Sequence, residues 1–139
     1  MARVKAVLDT NVIVSAHLKE RGLEALILEL ALSGRFDLVA SPALLAEYEE
    51  VLRRPRFSFN PDAVSHSIEA IRDRALIVSP RRRLSVTRDP DDNMVLECAL
   101  SGRADYVVTG NTRDFPQQFR GIYVVPPRHF VVVLAASVE

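Results

Sequence analysis

Val4-Lys5-Ala6-Val7-Leu8-Asp9-Thr10-Asn11 is a largely apolar run that stops on a carboxylate. Val4 to Leu8 reads as a short strand of the kind buried in the middle of a parallel sheet. Asp9 then falls at the carboxyl end of that strand, where open α/β sheets place their ligands. A carboxylate in such a place is costly unless something positive meets it.

The pattern downstream alternates helices and strands. Val12 to Leu18 begins a helix, continued at helical spacing by Leu23, Leu26, Ile27, Leu30 and Ala31, and Gly34 ends that element. Leu38-Val39-Ala40 is a second strand. Ser41-Pro42 follows as N-cap and first-turn proline of a helix through Leu44, Leu45, Tyr48, Val51 and Leu52, which ends before Pro55. Asn60-Pro61-Asp62 opens another helix in the same way, with Val64, Ile68 and Ile71 on one face. Leu76-Ile77-Val78 is a third strand. Asp89-Pro90-Asp91-Asp92 starts a helix carrying Val95, Leu96, Ala99 and Leu100. Tyr106-Val107-Val108-Thr109 and Ile122-Tyr123-Val124-Val125 are a fourth and a fifth strand, and Pro127 opens a last apolar segment. The alternation predicts an α/β fold, a three-layer αβα sandwich around a central parallel sheet of four to five strands. Residues 1–139 are expected to form a single domain, since no repeat, low-complexity tract or long linker divides them.

Composition narrows the function classes. Lys plus Arg and Asp plus Glu both count 18, so the formal net charge is zero. That argues against a protein that coats nucleic acid through bulk charge, while leaving room for a local basic patch. The one cysteine, Cys98, lies in an apolar helical stretch and reads as a buried, inert thiol. A reducing cytosol fits. Phe130 to Ala136 is too short to span a membrane, and the first residues lack a cleavable apolar signal region, so a cytoplasmic location is expected.

Chemistry concentrates in four places. Asp9 ends the first strand. Glu47 has Leu44 three residues before it and Val51 four after, so it borders the apolar stripe of its helix. Asp92 has Val95, Leu96 and Ala99 three, four and seven residues on, along the packed side of its helix. Asn111 follows the fourth strand, with Asp114 one turn later. Each has a plainer reading alone: Asp9 and Asn111 as turn or cap residues, Glu47 as a solvated helix residue, and Asp91 and Asp92 as acids favoured at a helix amino end. Together they fall at strand ends or on inward helix faces. Converging carboxylates raise one another's pKa values, and a hard divalent cation such as Mg²⁺ or Mn²⁺ removes that conflict. Such a cation also lowers the pKa of bound water and stabilises charge on a phosphate.

Four stretches in order now resemble a known family. They are Val7-Leu8-Asp9-Thr10-Asn11-Val12, Ser41-Pro42-Ala43-Leu44-Leu45-Ala46-Glu47-Tyr48, Asp89-Pro90-Asp91-Asp92-Asn93, and Val107-Val108-Thr109-Gly110-Asn111-Thr112-Arg113-Asp114-Phe115. They look like the four motifs of PIN domains, metal-dependent ribonucleases of which many are toxins of type II toxin–antitoxin pairs. The resemblance implies Asp9, Glu47 and Asp92 as the three main acids, holding Mg²⁺ or Mn²⁺ directly or through water. Asp92 is preferred to Asp91 because the family's aspartate stands seven residues before a helix alanine, as Asp92 does before Ala99. Asn111 stands where the family often has a fourth acid, as a neutral ligand or a holder of water. That departure weighs against a full second metal site. Asp114 either adds a carboxylate or caps the next turn. Thr109 resembles a hydroxyl near the pocket, and Thr10 and Asn11 resemble residues that shape the first loop. RNA is the implied substrate, and a small antitoxin protein the implied partner.

The dense basic clusters are Arg53-Arg54-Pro55-Arg56 and Arg81-Arg82-Arg83 with Arg88. They read equally as RNA-backbone contacts or as solvated surface. Aromatic residues make up 6% and form no stacking platform for single-stranded bases. His17, His66 and His129 show no metal-ligand spacing and read as structural or surface residues. Part of Phe130–Leu134 is a candidate interface for a homodimer. Two rivals stand beside the nuclease. A phosphatase of the haloacid dehalogenase type needs a second aspartate two residues after the first, where this chain has Asn11. A PIN-like module that binds RNA or protein without cutting it is left open by Asn111.

Overall fold

The computed structural model describes residues 3–137. Six strands form one sheet: β1 (Lys5–Leu8), β2 (Asp37–Ala40), β3 (Leu76–Ile77), β4 (Tyr106–Val108), β5 (Gln118–Phe119) and β6 (Ile122–Val125). Six α-helices join them: α1 (Thr10–Leu18), α2 (Leu23–Leu32), α3 (Pro42–Leu52), α4 (Pro61–Arg74), α5 (Pro90–Ser101) and α6 (Pro127–Ala136). Short 3₁₀ turns occupy Pro55–Phe57 and Thr112–Asp114.

The apolar run of β1 behaves as its sequence predicts. Ala6, Val7 and Leu8 are each 0% exposed. Successive strand residues point to opposite faces, so both faces of the sheet are covered there. Leu38, Val39 and Ala40 in β2 and Val107 and Val108 in β4 repeat the pattern. α5 lies across β1, β2 and β4. The other helices pack largely on one another, α1 on α2 and α3, α3 on α4, and α2 on α6. The result is the expected mixed α/β fold, a mostly parallel sheet flanked by helices.

Strand order fixes where a ligand fits. The sheet runs β3-β2-β1-β4-β6-β5. The chain starts in the middle at β1, steps outward to β2 and β3, and then returns to the other side of β1 as β4. The connections after β1 and β4 thus diverge, and a crevice opens between the carboxyl ends of these two parallel strands. Asp9 follows β1, Thr109 follows β4, and both continue the ladder: Asp9 N donates to Val108 O at 2.9 Å and Thr109 N to Val125 O at 3.0 Å.

The helix starts follow the sequence signals. Ser41 Oγ accepts from Leu44 N at 3.1 Å, and Asn60 Oδ1 from Asp62 N at 2.8 Å. Asp89 Oδ1 accepts from Asp91 N, also at 2.8 Å. Each replaces water at an orphan donor of the first turn, worth about 1 kcal/mol. Gly34, in the left-handed region at φ 79°, ends α2 as expected. Phe130 and Leu134 bury the inner face of α6, while Val132 stays exposed.

Three expectations need correction. The helical stretch after Asp9 is two helices, because the chain turns at Lys19–Gly22, with Lys19 extended and Gly22 N donating to Lys19 O at 3.1 Å. The third strand is only Leu76–Ile77, although Val78 N still bonds Ala40 O at 2.9 Å. The sheet also exceeds four to five strands: beyond five parallel ones, β5 adds an antiparallel edge to β6. Its turn, Arg120-Gly121, has both residues at positive φ, the geometry of a tight hairpin. Arginine is an unusual first residue for such a turn, so the signal was weak.

No helix among the described residues is long and apolar enough to cross a membrane. Cys98 is buried, and burial pushes its thiol up to about 12, which keeps it protonated and inert.

Gly102 gives a direct check on this packing. It caps α5, and a Cβ there would lie 2.4 Å from Val39 Cγ1. Gly102→Ala is expected to push α5 off β2 and lower stability by about 1–3 kcal/mol, more than the entropy gained from losing a glycine. Urea unfolding measures this, and an unchanged or raised midpoint would contradict the contact.

Candidate active site

Asp9 does two jobs at the crevice. It is the N-cap of α1, its Oδ1 accepting from Thr10 N at 2.8 Å. Its Oδ2 accepts from Thr109 Oγ1 at 2.8 Å and from Asn11 Nδ2 at 3.2 Å. The plainer cap reading is therefore met, and the same carboxylate also faces the crevice. Asp9 is only 7% exposed, and burial raises its pKa. The bonds from Thr109, Thr10 and Asn11 oppose the shift, and the charge of Asp89 adds to it.

Asn11 ties the two sides of the crevice together. Besides its bond to Asp9, its Nδ2 donates to Thr109 Oγ1 at 3.2 Å, and its Oδ1 accepts from Gly110 N at 2.9 Å. Thr109, fully buried, also accepts from Asn111 N at 3.0 Å. Both ends of the Asn11 amide are thus committed to holding the loop after β4 against the start of α1.

α3 brings Glu47 to this cluster. Tyr48, next in sequence and fully buried, donates its hydroxyl to Leu8 O, anchoring α3 on the last residue of β1. Glu47 accepts from Thr10 Oγ1. Its pKa is raised to about 7, chiefly by burial, against the Thr10 bond. The charge of Asp91, a hydrogen bond shared with Asp91, and the charge of Asp9 raise it further.

α5 supplies two acids. Asp91 faces Glu47 across the packing of α3 on α5. Asp92, partly buried, faces an adjoining cleft of about 670 Å³ between the segment before α5 and the turn after β4. Its pKa is raised to about 6 by burial and then by the charges of Asp89, Asp9, Asp114 and Asp91. Asp114 lines the same cleft, as do Arg88 and Arg113. Asn111 is exposed, and among the described residues its side chain makes no hydrogen bond.

The predicted residues thus fall into two groups. Asp9, Thr10, Asn11, Glu47 and Thr109 form one bonded network, and Asp92 and Asp114 sit beside it in the cleft. Asp91 and Tyr48 belong with them although the sequence spacing singled out neither. Asp91 and Asp92 are about 100° apart on the helix, so both reach the site from different sides. The basic clusters divide as well. Arg53 and Arg54 pair with Glu49 and Glu50 of their own helix, each at 3.0 Å, and Arg53 also reaches Ser65 Oγ at 2.8 Å. Arg81, Arg82 and Arg83 lie exposed on the loop before α5, with no ion pair among the described residues. Backbone anchors pin that loop: Leu84 N donates to Glu97 and Thr87 N to Asn93, both at 2.8 Å. His17 is structural, as expected, its ring bridging Ile13 O and Ser67 Oγ, each at 2.8 Å.

All candidate ligands are oxygens, the donors that Mg²⁺ and Mn²⁺ prefer. Among the described residues, no three His, Cys, Asp or Glu side chains converge closely enough to hold a metal ion unaided. The donor set fits a cation that keeps most of its waters and takes one or two direct carboxylates, which is the habit of Mg²⁺. Several like charges gathered around one crevice, each with a raised pKa, are the arrangement such a cation would relieve.

Comparison with known proteins bears on the fold and the family. An uncharacterised protein of Methanocaldococcus jannaschii is 28% identical over 112 residues, covering 78% of this chain and 72% of its own. The fold is shared with a solved protein of Pyrobaculum aerophilum, at a TM-score of 0.66 and 16% identity, over 96% of this chain and 91% of that one. It is shared too with a chain of the Rickettsia felis VapBC2 complex, solved bound to a DNA fragment from its promoter, at a TM-score of 0.61 and 17% identity. That match covers 88% of this chain and 98% of the other. The PIN domain family model matches residues 5–113, from the first residue of β1 to the turn beside the cleft, and with that span of the chain inside it this protein belongs to the PIN domain family.

Proposed function

We propose that the chain is a metal-dependent endoribonuclease that hydrolyses RNA phosphodiester bonds, and that it acts in the cytoplasm as the toxin of a toxin–antitoxin pair. The observation that carries the chemistry is Asp9, buried at the crevice between β1 and β4 with Glu47, Asp91 and Asp92 gathered around it. Membership of the PIN family supports hydrolysis. The VapBC2 complex among the fold relatives supports a small antitoxin as partner.

Asp9 and Asp92 would hold Mg²⁺ or Mn²⁺, with Glu47, Asp114 and Asn111 around them. When bound, the cation supplies a Lewis acid for the scissile phosphate and an activated water. The chain's own residues do the rest. Thr109 and Asn11 fix the orientation of the Asp9 carboxylate from both sides of the crevice. Thr10 does the same for Glu47. Glu47, held by Thr10 beside Asp9, would complete the site and orient the attacking water. The second reading, a module that binds RNA without cutting it, draws on Asp9 and Glu47 already being satisfied by hydrogen bonds. One experiment separates the two.

Asp9→Asn keeps an equally good N-cap, so the fold is expected to survive. Cleavage of structured and unstructured RNAs with Mn²⁺ or Mg²⁺ is expected to fall by at least about a hundredfold in this variant, and EDTA should abolish it in the wild type. Full activity in Asp9→Asn, or cleavage insensitive to EDTA, contradicts the nuclease reading. RNA binding without any cleavage by the wild type favours the inert module.

The raised pKa values set a stability signature. Glu47 at about 7 and Asp92 at about 6 lie above their unfolded values of 4.5 and 3.8. Between those limits the folded state binds more protons than the unfolded one, so stability falls as pH rises. In EDTA, the melting temperature is expected to drop from pH 5 to pH 8. Glu47→Gln should flatten that slope, and Mn²⁺ should recover the loss at pH 8. Identical slopes for Glu47→Gln and wild type would refute the assignment.

A further inference from the structure

The cleft beside Asp92 holds more than carboxylates. Arg88 and Arg113 line it together with Asp89, Asp92 and Asp114. Among the described residues, no ion pair joins either arginine to any of these acids. Resting on the nuclease reading above, we propose that Arg88 and Arg113 are a phosphate clamp, gripping the sugar–phosphate backbone of the RNA strand next to the site of cleavage.

Three observations carry this. The first is size. A cation with six waters needs about 180 Å³ at roughly 30 Å³ per water. The cleft of about 670 Å³ leaves room for a nucleotide-sized ligand, within the about 300–1,000 Å³ usual for ligand sites.

The second is anchoring. Arg88 stands between Thr87, whose N–H and carbonyl both bond the buried Asn93 at 2.8 and 3.1 Å, and Asp89, the cap of α5. Arg113 lies in the turn closed by Asp114 N to Asn111 O at 3.0 Å and held down by buried Phe115. Both arginines are therefore carried on pinned backbone in separate segments of the cleft wall, and a guanidinium is the side chain suited to gripping a phosphate bidentately.

The third is charge. Three aspartates outweigh two arginines in the cleft, which repels a polyanion. A bound divalent cation reverses that sign. The clamp thus engages RNA together with the cation, and metal loading and substrate binding are coupled. Arg53 and Arg54 contrast with this pair, since their charge is met by Glu49 and Glu50.

The test uses adenosine 3′,5′-bisphosphate, which carries two backbone-like phosphates and no diester to cut. Its affinity for the wild type with Mn²⁺ is measured by calorimetry, beside Arg88→Ala, Arg113→Ala, Arg113→Lys, and Arg53→Ala as control. Circular dichroism confirms folding of each, and a separate titration measures Mn²⁺ alone. Each cleft alanine variant is expected to weaken the bisphosphate about tenfold or more, with Mn²⁺ affinity no weaker than in the wild type. Arg113→Lys should recover part of the loss, and Arg53→Ala should change nothing. With RNA as substrate, KM should rise about equally for unrelated sequences, because phosphate contacts position a strand without reading it. Cleavage with unchanged KM and bisphosphate affinity in both alanine variants overturns the clamp and leaves the nuclease reading standing. So does a wild type that fails to bind the bisphosphate. Arginine-dependent bisphosphate binding in a chain that cuts no RNA supports the clamp and removes the nuclease reading.

Discussion

The hydrogen bond from Thr109 to Asp9 joins the ends of β1 and β4 at the point where the chain reverses its direction of travel across the sheet. Everything chemical in the molecule is arranged around it. A carboxylate buried this deeply is tolerable because three donors meet it: the Thr109 hydroxyl, the Asn11 amide and the first N–H of α1. Those donors come from both strands' exits. The same bonds that satisfy Asp9 therefore hold the crevice in shape.

Helices α3 and α5 complete the site by different means. α3 is fixed by Tyr48, whose buried hydroxyl reaches the backbone of β1, so Glu47 arrives beside Thr10 without a flexible tether. α5 is fixed by its apolar face against β1, β2 and β4, and its amino end carries Asp89, Asp91 and Asp92. Helix amino termini favour acids, so the fold obtains three carboxylates there at low local cost. What burial and mutual repulsion add is the rise in the pKa values of Glu47 and Asp92.

Much of this was legible along the chain because the signals are local. The continuous apolar runs of β1, β2 and β4 mark strands buried on both faces, and Ser41-Pro42, Asn60-Pro61 and Asp89-Pro90 mark helix starts. Asp9, Glu47 and Asp92 stand out by their position on those elements. The failures share a cause too. The break between α1 and α2 and the hairpin at Arg120-Gly121 are short backbone events, with positive φ or an extended residue where the sequence gives a weak cue. Asp91 and Asp92 are neighbours with nearly equal claims in a pattern, and only the packing of α3 on α5 shows that one faces Glu47 and the other the cleft.

The sequence by itself determined the fold class and the caps, and it drew attention to three of the acids, because periodicity, N-cap chemistry and the cost of a charge after an apolar strand act within a few residues. Only the tertiary structure decided the strand order, and with it the crevice between β1 and β4. It alone showed that Asn11 and Thr109 clasp Asp9 across a separation of about a hundred residues. It alone told neutralised arginines from those facing the acids, since Arg53 and Arg54 meet glutamates one turn away while Arg88 and Arg113 meet in one cleft. Such contacts depend on which elements lie side by side, and that is settled by the summed packing of the whole core.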